Sequence, residues 1–533
     1  MLHSAQRFLA AAALAAAAAF PASALGPRVN ASAVAPTPDR GYGYPALSAV
    51  SFSSRFYRPR DSADPFNTFR DGEQFFPTRL DWVYDRGNMG DIVPRAQDRG
   101  WTYSLTLNHN LPDRIGTADR NIGRDVDFNG NPTVNGNPGT DVRIGDIWSE
   151  DYFNIAVARL ELAIPLGADA IHVDDPGGSY FYATRGDAGY GEASNRMMCE
   201  YLRERTTPQQ RMSWGLWPLI PSTFDYAGWV RSQGGESRID PRLKAFHEQM
   251  LLDGLYRFYD RIRARAAELN GGVPVPMSCN NTSNVVWTEE HAWADWGMAE
   301  TRLNNISPRQ IRTWIRNGES REAGQVLLAP RFDAPAPPAD YVDRVRRAIA
   351  TAYAMGGVMQ VPWDLFQLGF PTRYFGTPAE YADLYGFVRA IPAYLDGYEE
   401  VAARGSDFNV NRVRTGFPIM QSTGGSGDMV LSLRAVPGNS ARPLMLHMVD
   451  WGTPAASTLV LDPNQLFDGR PFVAHLFEPA PYDAAAHAQA RQTGRFTALR
   501  TLRFLPQTTR TDGRIEIQVP AVRPWAVVRL FPR

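Results

Sequence analysis

Lysine is almost missing from this chain: Lys244 is the only one in 533 residues, and arginine carries nearly all the positive charge. A phosphate-binding G-x-x-x-x-G-K-[ST] loop is therefore excluded, and pyridoxal phosphate or Schiff-base chemistry loses the amine it needs. Cysteine is scarce too. Cys199 and Cys279 cannot build a metal knuckle or an iron–sulfur site, though they could form one disulfide or stay as two buried thiols. Lys+Arg 55 against Asp+Glu 56 leaves a formal charge of −1, so no basic field exists to hold a nucleic acid. Beyond the first residues no run approaches the 18 or so uninterrupted apolar residues of a membrane span. His247-Glu248 is followed by Gln249-Met250-Leu251, which is no H-E-x-x-H helix, and no G-x-S-x-G elbow occurs. Asp125-Val126-Asp127-Phe128-Asn129-Gly130 begins like a calcium loop. Its twelfth position is Gly136 instead of a bidentate glutamate, so neither a metal nor a cofactor is expected.

The N-terminus carries His3 and Arg7, an alanine-rich apolar run from Phe8 to Phe20, then Pro21-Ala22-Ser23-Ala24. That order predicts a secretory signal cut after Ala24, and hence a secreted or periplasmic protein. Residues 25–45 are rich in Pro, Ala and Gly without periodicity and are expected to be a linker. From there to about 403, short apolar runs at 78–84, 102–107, 168–174, 212–217, 273–279, 293–299, 325–330 and 358–362 alternate with amphipathic stretches. The clearest helix begins at Asp240-Pro241 and stops at Asn270-Gly271-Gly272. About eight strands with helices between them predict an α/β fold, a (β/α)₈ TIM barrel over 46–403. Over 404–533 short strands are separated by Gly, Pro and Asp turns, which predicts an antiparallel β-sandwich.

A parallel barrel presents its reactive groups at the C-terminal ends of its strands. In Ile171-His172-Val173-Asp174-Asp175-Pro176-Gly177-Gly178, alternation sends Ile171 and Val173 to the helical layer and His172 and Asp174 inward. Asp175 falls at the strand tip with the opposite parity. Glu300 closes the run from Trp296, and Asp364 follows Trp363 after the last strand. Asp81-Trp82 sits on the first strand, Asn108 and His109 end the second, and Asn280-Asn281 end the fifth. Tryptophan faces stack on sugar rings, and amides and acids hydrogen-bond hydroxyls. Two carboxyls across a glycosidic bond can serve as proton donor and as nucleophile or base.

Gly167 to Asp174 resembles the fourth-strand signature of alpha-amylase-like and related barrel glycosidases, where an inward polar residue precedes the catalytic aspartate by two. His172 stands where those families carry arginine. The run Leu444 to Asp450 and the closing Val519 to Leu530 resemble the β-sandwich that often follows such barrels. The resemblance implies a secreted glycoside hydrolase acting on an oligo- or polysaccharide. Asp174 would be nucleophile or base, Glu300 the proton donor and Asp175 the substitute for Asp174. Asp81, Trp82, Asn108, His109, His172, Asn280, Asn281, Trp296, Trp363 and Asp364 would line the substrate site, with Trp296 an apolar wall for the acid. Two other readings stay open: a non-catalytic carbohydrate-binding barrel, and a polysaccharide lyase with His172 or Tyr180 as base.

Overall fold

The computed structural model describes residues 43–532 apart from 60–65, 86, 109, 112–121, 135–142, 282–290, 304–305, 320–325, 333–338, 368–373, 412–418, 425–426 and 440. The leader, nearly all of the linker, and His109 lie outside the described residues, as does Gly136.

The fold is mixed α/β, with a curled parallel sheet and antiparallel sheets of seven and four strands. Six full strands make the parallel sheet: β2 (Arg79–Tyr84), β3 (Thr102–Asn108), β4 (Ala170–Asp174), β5 (Met277–Asn281), β6 (Trp296–Arg302) and β7 (Val326–Phe332). Two-residue strands flank them, β1 (Ser51–Phe52) beside β2 and β8 (Val358–Met359) beside β7. Past β8 the Val361 N–H donates to the Ser51 carbonyl, so the two edges of the curl meet.

Crossover helices follow from local sequence. Pro241–Leu269 starts on Asp240, whose side chain accepts from the Arg242 N–H, with Pro241 in the first turn where its missing donor does no harm. Leu243, Met250, Leu255, Phe258 and Ile262 form its buried stripe. Glu150–Ala163 is capped by Ser149. Tyr341–Met355 ends at Gly356, whose φ of 89° suits glycine; a Cβ there would lie 2.7 Å from the Arg434 guanidinium.

One expected strand is absent and several, most of them short, were not foreseen. Residues 212–217 end a helix, Pro208–Ser213, because Thr207 and Gln210 form a capping box around Pro208. Met212 and Trp217 are exposed there, so their apolar character reflects no sheet. Among the missed elements is β1, too short to show alternation.

After residue 398 a seven-stranded antiparallel sheet and a four-stranded one share an apolar cluster that includes Leu433, Leu446 and Val528 from the first sheet, with Leu459, Leu461 and Ile517 from the second. The larger sheet turns its other face to the helices of the parallel unit. Trp525 stacks on Tyr353 and meets Phe387 edge-on, and buried Glu400 binds Arg312 and Arg316, each at 2.9 Å. Cys199 and Cys279 are both buried and are not joined in a disulfide. Among the described residues no helix is long and apolar enough to cross a membrane.

Candidate active site

Three neighbouring strands aim polar groups at one carboxylate. Asp174 ends β4, and in the sheet register it stands opposite Asn108 at the end of β3. Its Oδ1 accepts from Asn280 Nδ2 at 2.9 Å and from the Asp175 backbone N–H at 3.0 Å. Its Oδ2 accepts from the Tyr84 hydroxyl, and Asn108 Nδ2 reaches it at 3.4 Å while donating to the Tyr84 oxygen at 2.9 Å. Asp174 is 9% exposed, whereas Tyr84 and Asn108 are half-buried, so the group opens to the outside over Oδ2.

Tyr84 was not foreseen from the sequence, and the reason is a bulge. Pairing between β2 and β3 slips between Leu80 and Val83, where Trp82 has a φ of 50°. The extra residue re-aims the strand end, so Asp81 and Tyr84, three apart, both point to the interior. Burial, with the charges of Asp174 and Asp175, pushes the Tyr84 hydroxyl far above the ordinary tyrosine range and keeps it a donor.

Asp175 departs from expectation. Its parity predicted a side chain turned away, but a φ of 51° breaks the alternation, and its carboxyl lies within electrostatic reach of Asp174 and Glu300. It is half-buried, and burial, then the negative charges of Asp174 and Glu300, hold its carboxyl well above the ordinary aspartate range. Glu300, which contributes one of those charges, is 7% exposed and near the end of β6. Half-buried Tyr182, on the short helix Gly178–Ala183, is also raised, by burial first and next by Asp175; it too was missed. The turn that carries Asp175 is held by Tyr259, whose hydroxyl donates to the Pro176 carbonyl at 2.9 Å.

Other foreseen residues lie elsewhere. Asp81 is not at the rim. It forms a buried ion pair with Arg79 at 2.8 Å and accepts from Ser51 and Ser104. Ser104 is four residues, about 13 Å of strand, behind Asn108. Burial would raise the Asp81 carboxyl, but the Arg79 charge and these donors outweigh it and hold it low. Trp296 is equally far back on β6, wholly buried against Tyr44 and the Arg79 guanidinium, and so is no wall for Glu300. His172 is fully buried two residues behind Asp174, with Nδ1 2.9 Å from Ser278 Oγ and its ring against Trp82. Trp363 packs among Phe52, Phe66 and Phe375, a core position, and Asp364 beside it is 6% exposed. Asn281 ends β5, one residue past Asn280. Among the described residues no group of His, Cys, Asp and Glu could hold a metal ion.

No family model matches the chain, and no curated protein sequence does. Among solved structures the chain is similar to the glycoside hydrolase domain of PgaB (BpsB) from Bordetella bronchiseptica, at 13% identity over 60% of this chain and 94% of that one, with a TM-score of 0.39. It is similar to a β-galactosidase from the psychrophilic Marinomonas ef1 at 12% identity, over 65% and 60%, with a TM-score of 0.46. Against Eubacterium rectale Amy13B the figures are 9% identity, 92% and 96%, and a TM-score of 0.45. These structural neighbours are glycoside hydrolases of more than one kind.

Proposed function

We propose that this protein is an exported glycoside hydrolase that cleaves an oligo- or polysaccharide with a pair of carboxyl groups. In this reading the curl is a closed (β/α)₈ barrel over 46–403, and 404–533 is a β-sandwich packed on its side. The observation that carries it is the convergence of Asp174, Asp175 and Glu300 on one mouth, with Tyr84, Asn108 and Asn280 arranged around Asp174. Asp174, held by donors at both oxygens, is the group that attacks the anomeric carbon or activates water. Glu300, two strands along the sheet on β6, protonates the leaving oxygen. Asp175 is the alternative donor, because burial and the charges of Asp174 and Glu300 raise its carboxyl well above the ordinary aspartate range.

The test is a panel of neutral, acidic and amino-sugar glycans offered to the purified protein, followed by Asp174→Asn, Glu300→Gln and Asp175→Asn on whichever is cleaved. Loss of cleavage in the first two, with folding intact, is expected. If Glu300→Gln keeps its rate and Asp175→Asn does not, the donor is Asp175. Product stereochemistry by NMR then separates retention, which needs carboxyls about 5–5.5 Å apart, from inversion at about 6.5–9.5 Å. A product absorbing in the near ultraviolet would replace hydrolysis by elimination.

A further inference from the structure

Among the described residues the seven-stranded sheet ends on the strand Arg500–Phe504, which pairs with Phe472–Pro479 on one side only. Open edges are usually blunted by charged side chains, proline or a covering element. This one carries Arg500 and Arg503 but no proline across 500–504, and it presents Leu502 at 52% and Phe504 at 76% exposure. Its backbone polarity follows from two bonds. The Leu505 N–H donates to the Ala474 carbonyl, and the Leu499 carbonyl accepts from the Ala480 N–H. In an antiparallel ladder, inward and outward residues alternate, so Thr501 and Arg503 also bond inward while Arg500, Leu502 and Phe504 direct N–H and C=O to the open side.

We propose that this edge pairs, antiparallel, with the same strand of a second copy of this chain, about a two-fold axis through Leu502. The register is self-complementary. Leu502 meets its own symmetry mate, and the two chains exchange N–H···O bonds there and at both Arg500–Phe504 pairs. Each Phe504 ring then lies opposite an Arg500 guanidinium, a cation–π match; within the chain that guanidinium already sits over Phe477 at 4.6 Å. Leu502, Phe504 and Arg500 share the face of Phe477, whose ring belongs to the core under the sheet, so the contact extends a packed surface. Arg503 projects from the other face toward Glu478, so no like charges oppose across the axis. A closed two-fold contact of this kind stops at a dimer.

Sedimentation velocity on the intact protein at about 50 μM is expected to show a dimer. Leu502→Lys sets two ammonium groups opposite each other and should weaken association at least about tenfold, with the melting temperature unchanged. The positive test is Leu502→Cys. Paired Cα atoms about 5.5 Å apart are within disulfide reach, so oxidation should link two chains, whereas Arg503→Cys, off the axis, should not link. A monomer at every concentration, a dimer that survives Leu502→Lys, or linkage by Arg503→Cys but not Leu502→Cys would overturn the proposal.

Discussion

Raising the pH through neutrality should unfasten two loops beside the mouth. Asp125 and Asp146, both in the connection after β3, are buried next to one another with no cation among the causes that set their protonation. Asp125 accepts from the Gly189 and Gly191 amides at 2.9 and 3.0 Å, and Asp146 from the Ser194 amide and hydroxyl. The pair thereby ties the β3 connection to the one after β4. Burial, then the Asp146 charge, pushes the Asp125 carboxyl up to about 7 from an ordinary 3.8. A carboxyl raised on folding stabilises fully below the unfolded value, and that contribution is gone above the folded value. Roughly 3 units at 1.36 kcal/mol each give about 4 kcal/mol in all, of which about 3 is lost between about pH 5 and pH 7. If the loss falls on local opening, the opening equilibrium rises about a hundredfold. Hydrogen exchange at Gly189, Gly191 and Ser194, corrected for the intrinsic pH dependence, measures it directly. Asp125→Asn should flatten the dependence. Equal protection at about pH 5.5 and pH 8.5 in the native protein would refute the reasoning.

Tyr84→Phe removes a donor to a charged acceptor and should lower kcat roughly 10- to 100-fold, moving the acid limb of the pH–rate profile upward; an unchanged profile with a lower melting temperature would make the hydroxyl merely structural. Asp81→Asn strands the buried Arg79 charge, so urea unfolding should register a loss of about 3–5 kcal/mol while turnover per folded molecule is preserved. Gly145→Ala would set a Cβ 2.4 Å from the Tyr152 ring, and thermal melts should show a clear loss of stability. Ending the chain after residue 403 bares the faces that Trp525 and Phe477 cover, and light scattering should report aggregation.

What was legible in the sequence followed from regular alternation. Ile171 to Asp174 obeys it, so the direction of His172 and Asp174 could be read from residue types alone. Alternation gives the face of a strand but not the height of a residue along it. Asp81 and Trp296 were assigned to the rim for that reason, although both lie about four residues behind it. The two positions that alternation misdirected, Tyr84 and Asp175, each follow or occupy a left-handed residue that is not glycine. Nothing in Trp82 or Asp175 as residue types announces a positive φ. Surrounding packing imposes it, and that information is non-local.

The short first strand pairs with β2 on one side, and its remaining contacts come from late parts of the chain. Ser48 is bound through its amide and hydroxyl to Asp396, Tyr353 donates to the Ala49 carbonyl, and Val361 donates to Ser51. During vectorial synthesis, therefore, the segment around residue 50 can meet β2 early but waits for these later partners until between 304 and 348 further residues exist. A ribosome paused before Asp396 would display an unfinished sheet edge, and the nascent chain up to that point depends on other factors to keep it from pairing with its neighbours.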